Sequence, residues 1–152
     1  MGFIKEYRDY LEGIKAAVGG INKIAIIDEP GELNSFINDL SSGENTFMAG
    51  VLPAFGNNSP DDGDQYRARA YAEIVFIDKV DASADGQDAF IDAFDKVHSV
   101  AEEVRKILLN DHLGDQGCTM MRFLNVQSVQ LVPFNRSQVK GWNLIYSFDV
   151  WE

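Results

Sequence analysis

A run of oxygen ligands with metal-like spacing lies at residues 81–92. Asp81-x-Ser83-x-Asp85-Gly86, with Asp92 at the twelfth place, has the spacing of an EF-hand calcium loop. A hard cation wants oxygen ligands gathered on a tight turn that glycine permits, and this segment supplies them. Three features oppose that reading. Asp88 stands at the eighth place, where a branched apolar residue belongs. The twelfth residue is Asp, not the longer, bidentate Glu. Residues 74–77, just before, read as a strand and not as an entering helix. Acids also gather at helix N-termini because the macrodipole favours them. Asp88, Asp92 and Asp95 are therefore expected on a solvated helix face, and no metal is assigned.

Other chemistry is sparse. There is no Gly-x-Ser-x-Gly elbow, no Gly-x-x-x-x-Gly-Lys phosphate loop and no His-Glu-x-x-His. The two histidines, His98 and His112, lie ~21 Å apart if they share one helix, too far for a common metal. The single cysteine, Cys118, has no histidine near it in sequence to activate it, and is expected as a buried, inert thiol. It also rules out intrachain disulfides and multi-thiolate zinc sites. Arg67 and Arg69 share one strand face with Glu73, which suits cross-strand or intersubunit ion pairs. The expectation is a protein that is not an enzyme and needs no cofactor.

These residues must be carried by one domain, since the chain has 152 residues. Hydrophobic residues make up 45% and charged residues 24%, enough apolar material for a core and too little charge for disorder. The formal net charge is −11, so ordinary nucleic-acid binding is disfavoured by phosphate repulsion. Residues 28–115 hold 19 of the 24 acids and only six of the 13 bases. No window approaches 18 apolar residues, and residues 1–8 alternate charged and apolar groups, so neither a membrane helix nor a signal peptide is expected.

Phe3, Tyr7, Tyr10, Leu11, Ile14 and Val18 recur at helical spacing and stop at Gly19-Gly20. A strand over 21–27 follows, then a turn at 28–31. Leu33, Phe36, Ile37 and Leu40 suit a short helix. Residues 47–55 are strand-like, weakened by Gly50 and Pro53. Residues 56–64 contain Asp61, Asp62 and Asp64 and read as an exposed loop. Residues 65–80 form a long strand that starts at a wet edge and runs into a covered centre. After a loop at 81–86, Phe90, Phe94, Val97, Ala101, Val104 and Leu108 mark the core stripe of a helix over 88–113. A hairpin ends the chain: a strand from 126 to Pro133, a turn over 134–141, and Trp142, Leu144, Tyr146, Phe148 and Val150 alternating with polar positions. The fold class is α+β, with a mainly antiparallel sheet, the long helix on one face and an N-terminal amphipathic helix.

The order of these elements resembles the phage tail-terminator, or tail-completion, family. The likeness rests on residues 65–152. A strand like Arg67-Ala-Arg-Ala-Tyr-Ala-Glu-Ile-Val-Phe-Ile77 leads through an acidic loop to a helix of five or more turns. A terminal hairpin follows, whose last strand alternates as Gly141-Trp-Asn-Leu-Ile-Tyr-Ser-Phe-Asp-Val-Trp151 does. The resemblance implies a virion protein of the tail and neck, assembled in the bacterial host cytoplasm. It implies a homo-oligomer, a hexameric ring that caps the tail tube and joins it to the neck. DNA would pass through without sticking, and Asp88, Asp92 and Asp95 would face the lumen or solvent. Arg67, Arg69, Asp61, Asp62, Asp64 and Trp151 would serve subunit or partner contacts. A competing expectation from the acidity alone is a small ligand- or calcium-binding module.

Overall fold

The computed structural model describes residues 3–28, 46–57, 68–79, 82–114, 119–136 and 139–150. In chain order they form helix α1 (Phe3–Ala17), strands β1 (Ile21–Ile27), β2 (Thr46–Asn57) and β3 (Ala68–Lys79), helix α2 (Ala82–Leu113), a 3-10 turn (Thr119–Met121), and strands β4 (Leu124–Arg136) and β5 (Val139–Val150). The five strands make one sheet in the order β1-β2-β3-β5-β4. β1 and β2 run parallel and every other pair is antiparallel. This is the expected α+β class. The short helix expected at 33–40 lies outside the described residues.

Both helices pack on the same face of the sheet. α1 contributes Tyr7, Leu11 and Ile14, and α2 contributes Val97, Val100, Ala101, Val104 and Leu108. They meet Met48, the even-numbered residues Ala70 to Phe76 of β3, and Leu144, Tyr146 and Phe148 of β5. The period of two thus puts alternate residues of β3 and β5 against the helices, as the sequence predicts. Phe94 is only half-buried, at the margin of this core, where its ring meets Trp142 edge-on. The Trp142 indole N–H donates to the Phe94 carbonyl oxygen at 3.0 Å.

Three glycines set how closely these layers approach. A Cβ on Gly50 would lie 2.5 Å from the Leu11 Cδ1, so α1 seats its leucine directly on the β2 backbone. A Cβ on Gly20 would lie 2.8 Å from the Val100 Cγ2, which ties the α1–β1 turn to α2. At Gly141 a Cβ would run into the Phe76 carbonyl oxygen of the neighbouring strand. Gly50 is therefore a contact point for the helix and not a weakness in the strand.

Several boundaries differ from expectation. α2 begins at Ala82, six residues earlier, so there is no loop over 82–86. Gly56 and Asn57 belong to β2, not to a loop. Phe134 to Arg136 pair with Val139 to Gly141, so these residues belong to the strands and not to the turn expected over 134–141. Pro133 does not end β4: an edge strand tolerates proline, since a missing N–H leaves no neighbour unbonded on the open side. β3 is no edge. Ala68 to Ala70 pair with β2 on one side and β5 on the other, which overturns the edge expected at 65–70. Among the described residues, the outer strands are β1 and β4.

β4 carries a large irregularity between Asn125 and Gln130. Ser128 closes it: the Ser147 N–H donates to Ser128 Oγ at 2.9 Å, and that hydroxyl donates to the Asn125 carbonyl at 2.6 Å.

The second face of the sheet is divided. Ile27, Phe47, Ala49, Val51, Val75 and Ile77 are buried at one end. Toward the other end, Tyr71 is 52% and Ile145 39% exposed, although they sit on the two central strands. The expected gradient along β3, wet to covered, is present on this face.

The glycine contacts predict opposite outcomes for one substitution. Gly13→Ala in α1, where a Cβ meets nothing within 4 Å, should stabilise the protein by about 0.5–1 kcal/mol, by helix propensity. Gly50→Ala should destabilise it by about 1–3 kcal/mol through overpacking under Leu11. Urea unfolding of the two variants measures both signs.

Candidate functional site

A cleft of about 990 Å³ opens where the first turns of α1 meet the end of β5 and the turn after α2. α1 lines it with Phe3, Glu6, Asp9 and Tyr10, which helical spacing places on one face. Met120, Arg122 and Phe123 come from the turn, and Phe148, Asp149 and Val150 from β5.

The walls are fastened by long-range hydrogen bonds. Tyr10 donates its hydroxyl to Asp111 Oδ2 at 2.6 Å, joining α1 to the end of α2. His112 Nδ1 lies 3.1 Å from the Met121 carbonyl oxygen, and the Asp149 N–H donates to the Phe123 carbonyl at 3.2 Å. The turn is thus tied to both α2 and β5.

Aromatic rings form the floor. Phe3 meets Phe148 at 6.0 Å between centroids and Phe55 edge-on at 5.4 Å. It stacks on Tyr7, and Phe148 stacks on Tyr146. Beneath them the Tyr7 and Tyr146 hydroxyls share a hydrogen bond of 2.6 Å in a fully buried position. Burial pushes both phenols well above the usual tyrosine range; their hydrogen bond pulls Tyr7 back somewhat and raises Tyr146 further.

The charged groups at the rim are unevenly engaged. Asp149 accepts from Arg69 Nε at 3.1 Å, a part-buried pair directly opposite across β3 and β5. Asp9 meets Arg8 at 3.1 Å, but both side chains are half exposed, so the pair is weak. Arg122 lies over the Phe123 ring at 5.4 Å. The arrangement offers aromatic faces, carboxylates and one guanidinium, which is equipment for binding.

The residues singled out in the sequence scatter over the fold. Arg69 pairs with Asp149 of its own chain, so its ion pair is cross-strand. Glu73 accepts from the Asn143 amide on the sheet's second face. Asp88, Asp92 and Asp95 are exposed on α2. The backbone from Ala82 onward is helical, so residues 82–92 cannot wrap a cation as a calcium loop does. His98 packs edge-on against Trp142 at 4.9 Å, and His112 serves the turn. Asp61, Asp62, Asp64, Arg67, Cys118 and Trp151 lie outside the described residues. Among the described residues, no group of three or more His, Cys, Asp or Glu side chains could hold a metal ion.

Sequence reasoning missed the cleft. Its α1 half was visible as Glu6 and Asp9 beside Phe3 and Tyr10 at helical spacing. Its other half comes from residues more than a hundred positions away, and no local pattern announces that meeting.

No protein-family model matches the chain, and no curated protein matches it. What the fold defines is an α+β domain with two helices on one sheet face and an aromatic, carboxylate-rimmed cleft at one end.

The tyrosine pair predicts alkaline sensitivity. An unfolded tyrosine loses its proton near pH ~10, whereas the buried pair keeps both protons to higher pH. Above that pH the unfolded state binds fewer protons than the folded one, so stability falls. Denaturant unfolding across a pH series should show a plateau followed by this decline. A Tyr7→Phe, Tyr146→Phe variant should decline less steeply; an equal slope would contradict the assignment.

Proposed function

We propose that this chain is a structural subunit that works by assembling with copies of itself into a ring, as tail terminators do. The observation that carries the reading is the half-open second face of the sheet. β3 and β5 are the strands most enclosed by neighbours, yet they present Tyr71 and Ile145 to solvent. Large apolar groups exposed at the centre of a sheet are a mark of a contact surface. The charged groups beside them are already engaged within the chain, Arg69 by Asp149 and Glu73 by the Asn143 amide N–H. Such a rim can be buried without leaving a charge unpaired.

A ring needs a heterologous contact, in which this face meets a different surface of the next subunit. β4 is poorly suited to edge-to-edge pairing, since its irregularity and Pro133 interrupt the regular row of donors and acceptors. Face packing is therefore favoured over pairing at β4. The α2 carboxylates Asp88, Asp92 and Asp95 remain exposed on the other side of the molecule, where a negative surface repels DNA phosphate in transit. Tube and neck proteins would meet the ring at its two ends.

The solution mass by light scattering over a concentration and salt series tests this. With a net charge of −11, assembly should strengthen as salt screens repulsion within ~8–10 Å. Tyr71→Asp should weaken association by about 10- to 100-fold, the effect of losing an aromatic anchor, while leaving the fold intact by circular dichroism. A strict monomer at every salt and concentration, tail-tube protein included, would overturn the proposal.

A further inference from the structure

The cleft at the start of α1 combines aromatic rings and carboxylates with a single guanidinium. Phe3, Tyr10 and Phe123 give it aromatic faces, and Glu6, Asp9 and Asp149 give it carboxylates. Aromatic faces attract cations through the ring quadrupole, and carboxylates do so by charge and hydrogen bonding. The Phe123 ring already holds a guanidinium of its own chain, that of Arg122. Arg122 is the one base among the lining residues.

Two of the three carboxylates can receive a further cation. Asp149 is occupied by Arg69, but the Arg8–Asp9 pair is solvent-exposed and readily exchanged, and Glu6 is exposed on the first turn of α1. From Phe3 to Tyr10 the α1 wall rises ~10 Å at ~1.5 Å per residue, a span that matches about three residues of extended chain. The volume of about 990 Å³ also exceeds what one side chain fills.

We propose that this cleft binds an extended, arginine- or lysine-bearing segment of a partner protein. One basic side chain lies between Glu6 and Asp9 and over an aromatic face, and an apolar neighbour rests on Phe3, which itself caps the buried Phe148. The proposal goes beyond ring formation and does not require it: Phe3, Glu6 and Asp9 belong to α1 on the helix-covered side, Tyr71 and Ile145 lie on the opposite face, and the Arg69–Asp149 pair borders both.

The test is amide chemical-shift mapping with a capped Ala-Arg-Leu-Arg-Ala peptide at about 150 mM salt, where long-range attraction is screened. Shifts should cluster in the first turns of α1, at 120–123 and at 148–150. The Glu6→Gln, Asp9→Asn variant should bind about tenfold more weakly, the loss of roughly 1.4 kcal/mol. Phe123→Ala should also weaken binding, whereas Asp92→Asn, Asp95→Asn on α2 should not. The counterpart with glutamate in place of arginine should leave the cleft signals unmoved. Shifts spread equally along α2, undiminished binding by the Glu6 and Asp9 variant, or preference for the glutamate peptide would each overturn the proposal. Solution mass is read separately, so failure here and failure of ring assembly are distinguishable.

Discussion

The contact of Leu11 with Gly50 decides how the molecule is layered. A helix can share a sheet face with a second, longer helix only if both sit close, and the missing side chain at Gly50 lets α1 descend onto β2. Val100 does the equivalent for α2 at Gly20, so the two helices are also tied to each other through the turn. Their combined apolar stripes cover one face with Tyr7, Leu11, Val97, Val104 and Leu108. The other consequences follow from this seating. The start of α1 reaches the end of the sheet, where Phe3 caps Phe148 and the aromatic cleft forms. Neither helix lies on the opposite face, where Tyr71 and Ile145 meet water.

Much of this was legible in the sequence, for reasons of periodicity. The stripes Tyr7, Leu11, Ile14 and Val97, Ala101, Val104, Leu108 follow the helical repeat and are buried as that repeat requires. The alternation from Leu144 to Phe148 assigns β5 its two faces for the same reason. What periodicity carries poorly is neighbourhood. Nothing in residues 68–79 declares that β3 is central, because its wet odd-numbered half looks like an edge. Pro133 looked like an end because proline blocks a ladder bond, and only its place on an outer strand makes it harmless. The acidic run after β3 looked like a loop for its glycine and its carboxylates, yet the helix begins at Ala82, before Asp85 and Gly86.

Among the described residues, the cleft and the open face differ in kind. The cleft is charged at its rim and aromatic at its floor, which suits a basic segment that comes and goes. The open face presents the apolar Tyr71 and Ile145 beside the internally engaged Arg69 and Glu73, which suits a neighbour packed against it.

The central claim is that the open face is covered when subunits associate. Tyrosine nitration mapped by mass spectrometry reads this directly. In dilute protein Tyr71 should be modified readily, while Tyr7 and Tyr146, buried in the core, stay protected. At concentrations where the assembly forms, Tyr71 should become protected as well. Equal modification of Tyr71 at all concentrations, in a sample whose mass shows an assembled species, would contradict the account.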